Sequence, residues 1–364
     1  MSLRASFTAR RAGFEVVVDL AAHDRGTLAL LGPNGAGKST VVDALAGTLE
    51  IVEGSIELDG QRIDHLPPEH RAIGVCFQDD LLFPTMSARD NVAFPLRARG
   101  TSRIIANERA EELLGRLAPG VPGGAKPGSL SGGERRRVAV ARSLASEPRL
   151  LLLDEPFANI DVSSRAGLRS VVRDVARTFG GATVLVAHDP IDALTLADRV
   201  TLLESGRQTQ SGTPEEIRTA PRSAYAADLV GVNLYSGVLE PLADGAAVLR
   251  TSAGGEIIVA PSTTVEAGTI VLATLRPIDV AVHADEPEGS ARNVVAGSIA
   301  EITIEGDRAR VRLDSHPPLT AEITAGSVTR LQLSVGRDVW ASFKAVEVSL
   351  HLAEDVSSPG TLSG

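Results

Sequence analysis

One glycine-rich segment near the start of the chain, GPNGAGKST at 32–40, most strongly constrains the fold. It fits the pattern G-x-x-x-x-G-K-[ST] in full, follows the apolar run LALL and precedes the helical stretch TVVDALAG. A strand, a glycine loop and a helix in this order direct backbone N–H groups and a helix N-terminus toward phosphate groups. The sequence therefore predicts an α/β fold with a P-loop NTPase core.

The residues of this loop have distinct expected roles. The glycines let the backbone turn around the phosphates, while Lys38 reaches the outer phosphates and the Ser39 hydroxyl binds Mg²⁺. A flexible glycine turn with an exposed lysine is the alternative, and the flanking strand and helix argue against it. The predicted nucleotide-binding residues of the loop are Gly32, Pro33, Asn34, Gly35, Ala36, Gly37, Lys38, Ser39 and Thr40.

Two later apolar runs end in polar residues that suit the same site. RLLLLDEP ends in Asp154, expected to hold the Mg²⁺ shell, and Glu155, expected to orient the attacking water. ATVLVAHDP ends in His188, positioned to contact the γ-phosphate. The alternative for Asp154 and Glu155 is a strand that merely ends in acidic residues where it reaches solvent. The alternative for His188 is a structural role. The P-loop upstream favours the functional interpretation.

The overall composition excludes several classes of protein. A chain of 364 residues favours two or three domains, and 43% hydrophobic with 23% charged residues is typical of soluble globular proteins. We recognise neither a membrane-spanning segment nor a signal peptide, so we expect a cytoplasmic protein. A net charge of −10 argues against nonspecific binding to nucleic acid. The single cysteine, Cys76, excludes an intramolecular disulfide and fits a reducing compartment.

The apolar pattern divides the chain into regions. From residue 14 to about 205, apolar runs alternate with helical stretches, which predicts a mostly parallel sheet with helices on both faces. The interval 79–147 lacks this alternation and is expected to be an inserted helical subdomain. After a boundary near 230, short alternating strands separated by Gly, Asp and Pro turns predict a small all-β domain at 231–354.

The predicted β domain contains an internal repeat. The segment IVLATLRPIDVAVH at 270–283 aligns with DVWASFKAVEVSLH at 338–351, and NLYSG at 233 matches NVVAG at 293. We therefore predict two copies of one β fold. The last residues, 355–364, are expected to be disordered.

A second glycine turn, LSGGE at 130–134, has no lysine to hold a phosphate. It opens the helix ERRRVAVARSLA, where Ser131, Gly132 and Gly133 can present a hydroxyl and backbone N–H groups to an anion. An ordinary N-capped helix would have the same local sequence. That alternative explains neither the order of the motifs nor the distance to LLLLDEP.

In this order the motifs resemble those of the ATP-binding subunit of an ABC transporter, over residues 1 to about 230. After the P-loop come Gln78 in VCFQDD as the Q-loop, LSGGE as the signature, LLLLDEP as Walker B, ANID at 158–161 as the D-loop and His188 as the switch histidine. The resemblance implies ATP and Mg²⁺ as cofactors. The implied catalytic residues are Glu155, His188 and Gln78. The implied Mg²⁺ ligands are Ser39, Gln78 and Asp154.

The resemblance also implies partners. In this family two subunits face head to tail as a homodimer, and each signature loop caps the ATP held by the other subunit. The residues implied in this contact are Ser131, Gly132, Gly133, Glu134 and Asp161. Glu134 stands where the family usually has glutamine, which predicts a slightly weaker contact to the nucleotide. Membrane permease subunits, a separate substrate-binding protein and a peripheral position on the cytoplasmic face of the membrane are implied as well.

The contact to adenine is not evident from the sequence. Members of the family usually stack an aromatic side chain on the base, supplied near the first strand. The candidates here, Phe7 and Phe14, do not stand at an obvious equivalent position. The sequence therefore leaves the adenine contact open.

The β region resembles the regulatory TOBE domain of importer ATPases, and residues 290–351 resemble the Mop domain of molybdate-binding proteins through SARNVVAGSI and VWASFKAVEVSL. The resemblance implies a regulatory oxyanion held by Ser290, Arg292 and Lys344, whose hydroxyl, guanidinium and ammonium groups suit a tetrahedral dianion. Solvated strand-end residues are the alternative. Molybdate is the favoured transported substrate and sulfate the main alternative, with other solutes such as sugars or iron left open.

Two other classes of protein agree less well with the sequence. ABC ATPases that act on nucleic acid or ribosomes typically carry two nucleotide domains, whereas this chain has one P-loop and a net negative charge. An oxyanion sensor with a degenerate nucleotide half conflicts with the intact residues Lys38, Asp154, Glu155 and His188. The favoured hypothesis is an importer ATPase that does not bind nucleic acid.

Overall fold

The computed structural model describes residues 2–158, 160–261 and 266–352. The tail predicted to be disordered, 355–364, lies outside the described residues. The chain forms two compact units, Met1–Ile217 and Arg218–Gly364. This division lies before the boundary near 230 that the sequence suggests.

The first unit contains a ten-stranded sheet flanked by helices. Its strands are β1 (Leu3–Arg11), β2 (Phe14–Ala22), β3 (Thr27–Leu31), β4 (Ile51–Leu58), β5 (Gln61–Arg62), β6 (Ile73–Cys76), β7 (Leu150–Asp154), β8 (Ala182–Val186), β9 (Arg199–Glu204) and β10 (Arg207–Gly212). Its helices are α1 (Lys38–Ala46), α2 (Ala88–Ala98), α3 (Arg103–Leu117), α4 (Gly132–Leu144), α5 (Val162–Thr178) and α6 (Pro190–Leu196), followed by α7 (Pro214–Thr219) across the division.

The sheet is mixed, with the strand order β5-β4-β1-β2-β10-β9-β3-β8-β7-β6. Strands β9, β3, β8, β7 and β6 are parallel, and every residue of β3, β7 and β8 is buried, as expected for strands covered on both faces. Strands β2, β1, β4 and β5 are antiparallel. The predicted α/β core is confirmed, but the sheet is less parallel than expected. The segment LRASFTARR, which lies before the predicted region, forms β1 and pairs antiparallel with β2 and β4.

The interval 79–147 contains α2, α3 and α4 and no strand among its described residues. Serine side chains at 87, 102 and 131 accept hydrogen bonds from first-turn N–H groups and so cap the three helices. Helix α3 buries one stripe, comprising Ala106, Ala110, Leu113, Leu114 and Leu117. The interval separates β6 from β7, which lie side by side in the sheet.

The second unit consists of two five-stranded antiparallel sheets and two short helices. Its elements are α8 (Ala224–Val230), β11 (Asn233–Pro241), β12 (Ala247–Thr251), β13 (Glu256–Val259), β14 (Thr269–Leu275), β15 (Ala281–His283), β16 (Asn293–Glu305), β17 (Arg308–Ser315), β18 (Leu319–Thr324), α9 (Ala325–Arg330), β19 (Asp338–Phe343) and β20 (Ser349–Leu352). Helix α8 leads directly into β11, with Val232 N–H donating to the Ala227 carbonyl oxygen at 3.0 Å.

The two sheets have the same strand order, β13-β12-β11-β14-β20 and β18-β17-β16-β19-β15. Each sheet takes its last strand from the other repeat, because the 3-10 turns Pro277–Asp279 and Ala345–Glu347 carry the chain across after β14 and β19. Buried residues of both sheets form one hydrophobic core. The repeats therefore share a core and exchange a strand.

Candidate functional site

A cavity of about 510 Å³ lies at the P-loop, within the size range of small-molecule sites. It gathers P-loop residues and side chains from distant parts of the first unit. Its lining residues are Phe14, Asn34, Gly35, Ala36, Gly37, Lys38, Ser39, Thr40, Gln78, Glu155 and His188. All three residues with implied catalytic roles are in this set.

The P-loop backbone is shaped by glycines at positions that a side chain could not occupy. A Cβ on Gly32 would lie 2.1 Å from the Leu203 carbonyl oxygen. Gly37 has a φ of 104°, in the left-handed region, and immediately precedes the first residue of α1. The loop therefore leads from the buried strand β3 into a helix whose free N–H groups face the cavity.

Lys38 is held inside the loop. Its Nζ donates to the carbonyl oxygens of Gly32 at 2.7 Å and Pro33 at 3.0 Å. Burial lowers the pKa of its ammonium group, while the nearby carboxylates of Glu155 and Asp154 oppose this change. The loop's own carbonyl groups thus hold the ammonium group at the cavity, where it would meet the outer phosphates of a nucleotide.

Asp154 ends the fully buried strand β7. Burial, together with the charges of Glu155 and Asp43, raises the pKa of its carboxyl group to about 6, although Lys38 acts in the opposite direction. A bound divalent cation would stabilise the ionised form of this carboxyl group. The predicted donor set of hydroxyl, amide and carboxylate oxygens fits Mg²⁺, which prefers hard oxygen ligands and takes few of them from protein when it is bound to phosphates.

Glu155 and His188 follow adjacent parallel strands, so both reach the same edge of the sheet. Glu155 has a φ of 43°, and its N–H donates to the Val186 carbonyl oxygen at 3.0 Å. A non-glycine residue in the left-handed region is strained, and such strain is commonly found at functional positions. His188 is exposed at the cavity, one residue before Asp189 caps α6.

The signature loop is not part of this cavity. None of Ser131, Gly132, Gly133 and Glu134 is among its lining residues, and neither is Asp161, which caps α5 by accepting a hydrogen bond from Ser164 N–H at 2.9 Å. Within the described part of one chain, the P-loop and the signature loop therefore contribute to different surfaces.

Glu134 completes a capping box at the start of α4. Ser131 N–H donates to Glu134 Oε2 at 2.8 Å, and Glu134 N–H donates to Ser131 Oγ at 3.3 Å. The hydrogen bond from the Ser131 backbone lowers the pKa of the Glu134 carboxyl group. The acidic residue thus stabilises the helix end that carries the signature.

The structure distinguishes the two aromatic candidates that the sequence could not. Phe7 is 3% exposed and belongs to the core of the first unit. Phe14 is 38% exposed and lines the cavity, with its ring edge 3.2 Å from the position of a Cβ on Gly37. No local sequence signal marks Phe14, because its approach to Gly37 depends on how β2 lies in the sheet.

The three residues implied in oxyanion binding lie on the surface of the second unit, and all are exposed. Asn293 pairs with Phe343 between β16 and β19, so Arg292 and Lys344 stand at the same end of neighbouring strands. Ser290 lies two residues before Arg292. Arg292 Nη1 donates to Asp244 Oδ2 at 2.7 Å. The register thus brings the two cations to one edge, although a carboxylate already binds one of them.

No helix among the residues that the structure describes is long and apolar enough to cross a membrane.

Comparison with known proteins identifies both units. Residues 17–158 match the ABC transporter family and residues 289–350 match the TOBE domain. The chain is 40% identical to the molybdenum import ATP-binding protein ModC of Mycobacterium tuberculosis, over 97% of each protein. It is 36% identical to the Fe(3+) ions import ATP-binding protein FbpC of Streptomyces avermitilis, over 86% of this chain and 96% of the relative.

A solved structure shows the same fold in the first unit. The ATP-binding cassette MJ0796, in a dimeric post-hydrolysis state bound to ADP and Pi, superposes with a TM-score of 0.52 at 25% identity, over 59% of this chain and 99% of that one. The predicted resemblance is confirmed: the chain belongs to the ABC transporter family, as an ATP-binding subunit with a C-terminal TOBE domain.

Proposed function

We propose that this chain hydrolyses ATP to drive the import of an oxyanion, with molybdate as the substrate. The assignment of molybdate rests on the 40% identity to a molybdenum import protein over 97% of both chains. That match is longer and more similar than the match to the iron import relative, which covers 86% of this chain at 36% identity. Sulfate, a tetrahedral dianion as well, is the alternative.

The geometry of the cavity supports a role for each residue around ATP. The P-loop N–H groups and Lys38 bind the phosphates, and the exposed ring of Phe14 stacks on the adenine. Glu155 orients the attacking water, and His188 contacts the γ-phosphate from the neighbouring strand.

Magnesium fits the oxygen donors at the same edge of the sheet. Ser39, Gln78 and Asp154 would hold the ion, which when bound neutralises charge on the phosphates. Burial of Asp154 beside Glu155 supports this assignment, because a cation would offset the unfavourable ionisation of that carboxyl group.

A homodimer supplies the signature loop to the nucleotide. Ser131, Gly132, Gly133 and Glu134 lie outside the cavity of their own chain, so we infer that they contact ATP on the P-loop of the partner. Asp161, at the start of α5, belongs to the same interface. The dimeric state named for MJ0796 bound to ADP and Pi supports this arrangement.

Import requires further proteins. We propose that the dimer binds membrane permease subunits on the cytoplasmic face of the membrane and works with a separate substrate-binding protein. The relatives named as import ATP-binding proteins support this assembly.

Uptake by cells that lack this chain tests the substrate. Radiolabelled molybdate, sulfate and ferric iron are measured before and after complementation with the wild-type chain or with Lys38→Ala. We expect molybdate uptake to be lost, to return with the wild type and not with Lys38→Ala, while the other two are unchanged. Loss of sulfate or iron uptake instead would assign that solute and refute molybdate, without affecting the ATPase assignment.

A further inference from the structure

The segment that carries Gln78 is held by arginines rather than by a strand partner. Residues 77–81 follow β6, the edge strand of the sheet. Backbone carbonyl groups beyond the end of a strand no longer accept hydrogen bonds from a neighbouring strand and need other donors. Two arginines of α4 donate hydrogen bonds to four carbonyl groups of this short segment. The acceptors are the carbonyl oxygens of Phe77, Gln78, Asp80 and Leu81.

Arg136 makes the contacts that reach Gln78. It is 3% exposed, its Nη1 donates to the Phe77 carbonyl oxygen at 2.6 Å, and its Nη2 donates to the Gln78 carbonyl oxygen. Its Nε lies 3.1 Å from Asp80 Oδ1, which compensates the buried charge. The planar guanidinium fork therefore donates to two successive carbonyl groups while its charge forms an ion pair with a carboxylate, an arrangement that the compact ammonium group of lysine does not reproduce.

Arg142 holds the rest of the segment from the same helix. Its Nη1 donates to the Leu81 carbonyl oxygen at 2.6 Å and its Nη2 to the Asp80 carbonyl oxygen at 2.9 Å. It makes no contact with the Gln78 carbonyl group among the hydrogen bonds of the described residues. Arg136 thus binds the part of the segment that includes Gln78, and Arg142 binds the part farther along the chain.

The helix that carries Arg136 also carries the signature loop. Ser131 caps α4, and Arg136 lies in the early part of that helix. The side chain of Gln78 lines the P-loop cavity while its carbonyl oxygen is bound to α4. One buried side chain therefore joins the residue at the ATP site to the helix that begins at LSGGE.

We propose that Arg136 is a positioning residue, which fixes Gln78 at the ATP site and couples it to the signature helix of the same chain. The proposal rests on the role of Gln78 in the function proposed above. Because ATP binding depends mainly on the P-loop, loss of Arg136 should slow turnover while leaving the affinity for ATP nearly intact.

Kinetics of the purified full chain test this role. We expect Arg136→Gln to lower kcat roughly tenfold, while KM for ATP changes less than about twofold. Arg142→Gln is the matched control, since it carries the same substitution, on the same helix, against the same segment but away from Gln78. It should lower kcat less. Equal falls in kcat for the two variants would indicate general loosening of the segment and overturn the proposal.

A double-mutant cycle shows whether Arg136 acts through Gln78. If it does, Gln78→Ala combined with Arg136→Gln should hydrolyse ATP no more slowly than Gln78→Ala alone. If the fall in kcat of the double variant instead equals the product of the two single falls, the positioning role is refuted and the catalytic role of Gln78 is unaffected. Unchanged kcat in Gln78→Ala alone would instead refute the catalytic role of Gln78 itself.

A second variant, which keeps the positive charge, separates the positioning role from misfolding. Arg136→Lys keeps a cation beside Asp80 but cannot bind both carbonyl groups with one planar fork. We expect it to lower kcat with little change in KM, by less than Arg136→Gln does. Wild-type kcat in Arg136→Lys would show that charge alone is sufficient and overturn the proposal.

Discussion

Asn233 and Asn293 occupy equivalent positions in the two repeats, and each binds the backbone of the other repeat. Asn233 Oδ1 accepts from Thr320 N–H at 2.7 Å, and its Nδ2 donates to the Thr320 carbonyl oxygen at 2.9 Å. Asn293 Oδ1 accepts from Ile258 N–H at 2.7 Å, and its Nδ2 donates to the Ile258 carbonyl oxygen at 2.8 Å. Ile258 and Thr320 belong to the third strands of the two repeats. The repeats are therefore linked both by the exchanged strands β15 and β20 and by these carboxamide hydrogen bonds.

Replacing either asparagine with alanine should destabilise the whole second unit. Both side chains are less than 10% exposed, so Asn233→Ala or Asn293→Ala leaves partly buried backbone groups of Thr320 or Ile258 without these partners, at about 2–4 kcal/mol of unfolding free energy. Urea unfolding monitored by the fluorescence of Trp340, the tryptophan of this unit, measures the change. Thr303→Ala, an exposed residue of the same unit, is the control and should change the unfolding free energy by less than about 0.5 kcal/mol. A separate transition for each repeat would contradict the shared core.

The strand exchange itself could not be predicted from the sequence. The alignment of 270–283 with 338–351 indicated a repeat, and the alternating pattern indicated strands. Alternation determines which face of a strand is buried but not which sheet it joins. The short strands β15 and β20 have similar patterns in both repeats, so only the turns at 277–279 and 345–347 decide their destination.

Most of the ATP site, in contrast, follows from the sequence. Gln78, Glu155 and His188 each stand just after a strand of the parallel half of the sheet, and parallel strands bring their carboxyl ends to one edge. Phe14 is different, because its place beside Gly37 depends on how β2 lies in the sheet. No local pattern encodes that long-range approach. Likewise, no pattern in ERRR distinguishes the buried Arg136 from its partly exposed neighbours Arg135 and Arg137.

Gly37→Ala should abolish tight nucleotide binding. The new Cβ would lie 2.5 Å from Val16 Cγ2, and the alanine would have to adopt a φ of 104°, so either the loop or the Val16 side chain must shift. Gly60→Ala is the matched control, because its φ of 74° carries similar backbone strain, about 1–2 kcal/mol, with nothing within 4 Å of the new Cβ. Fluorescent ATP titration should show affinity lowered at least about tenfold for Gly37→Ala and unchanged for Gly60→Ala. Equal affinity in the two variants would show that the loop tolerates the side chain.

Glu155→Gln should stop turnover while leaving ATP bound. Glutamine fits the same left-handed backbone but lacks the carboxylate that orients the attacking water, so kcat should fall about 100-fold or more. Trapped ATP should also produce a stable dimer, measured by light scattering. Glu147→Gln is the control, since Glu147 has a φ of 49° and an exposed ion pair with Arg109 at 3.2 Å. Steady hydrolysis by Glu155→Gln would refute the role assigned to this carboxylate.

Calorimetric titration with molybdate, tungstate and sulfate tests the oxyanion site of the second unit. We expect Lys344→Ala and Arg292→Ala to abolish binding of molybdate and tungstate, because the two cations at the shared end of β16 and β19 supply the charge. Asp244 competes with the ligand for Arg292, so Asp244→Ala should tighten binding by up to about fivefold, the worth of an exposed ion pair.

The first repeat provides the internal control for this titration. Arg276 stands at the position equivalent to Lys344, but Val232 occupies the position equivalent to Arg292. A single cation that already binds Asp279 through two hydrogen bonds is not a dianion site, so Arg276→Ala should leave oxyanion affinity unchanged. The wild type should therefore bind one oxyanion per chain. Two per chain, or loss of binding in Arg276→Ala, would place the ligand elsewhere in the unit, whereas no binding by the wild type would remove the regulatory site and leave the ATPase assignment unaffected.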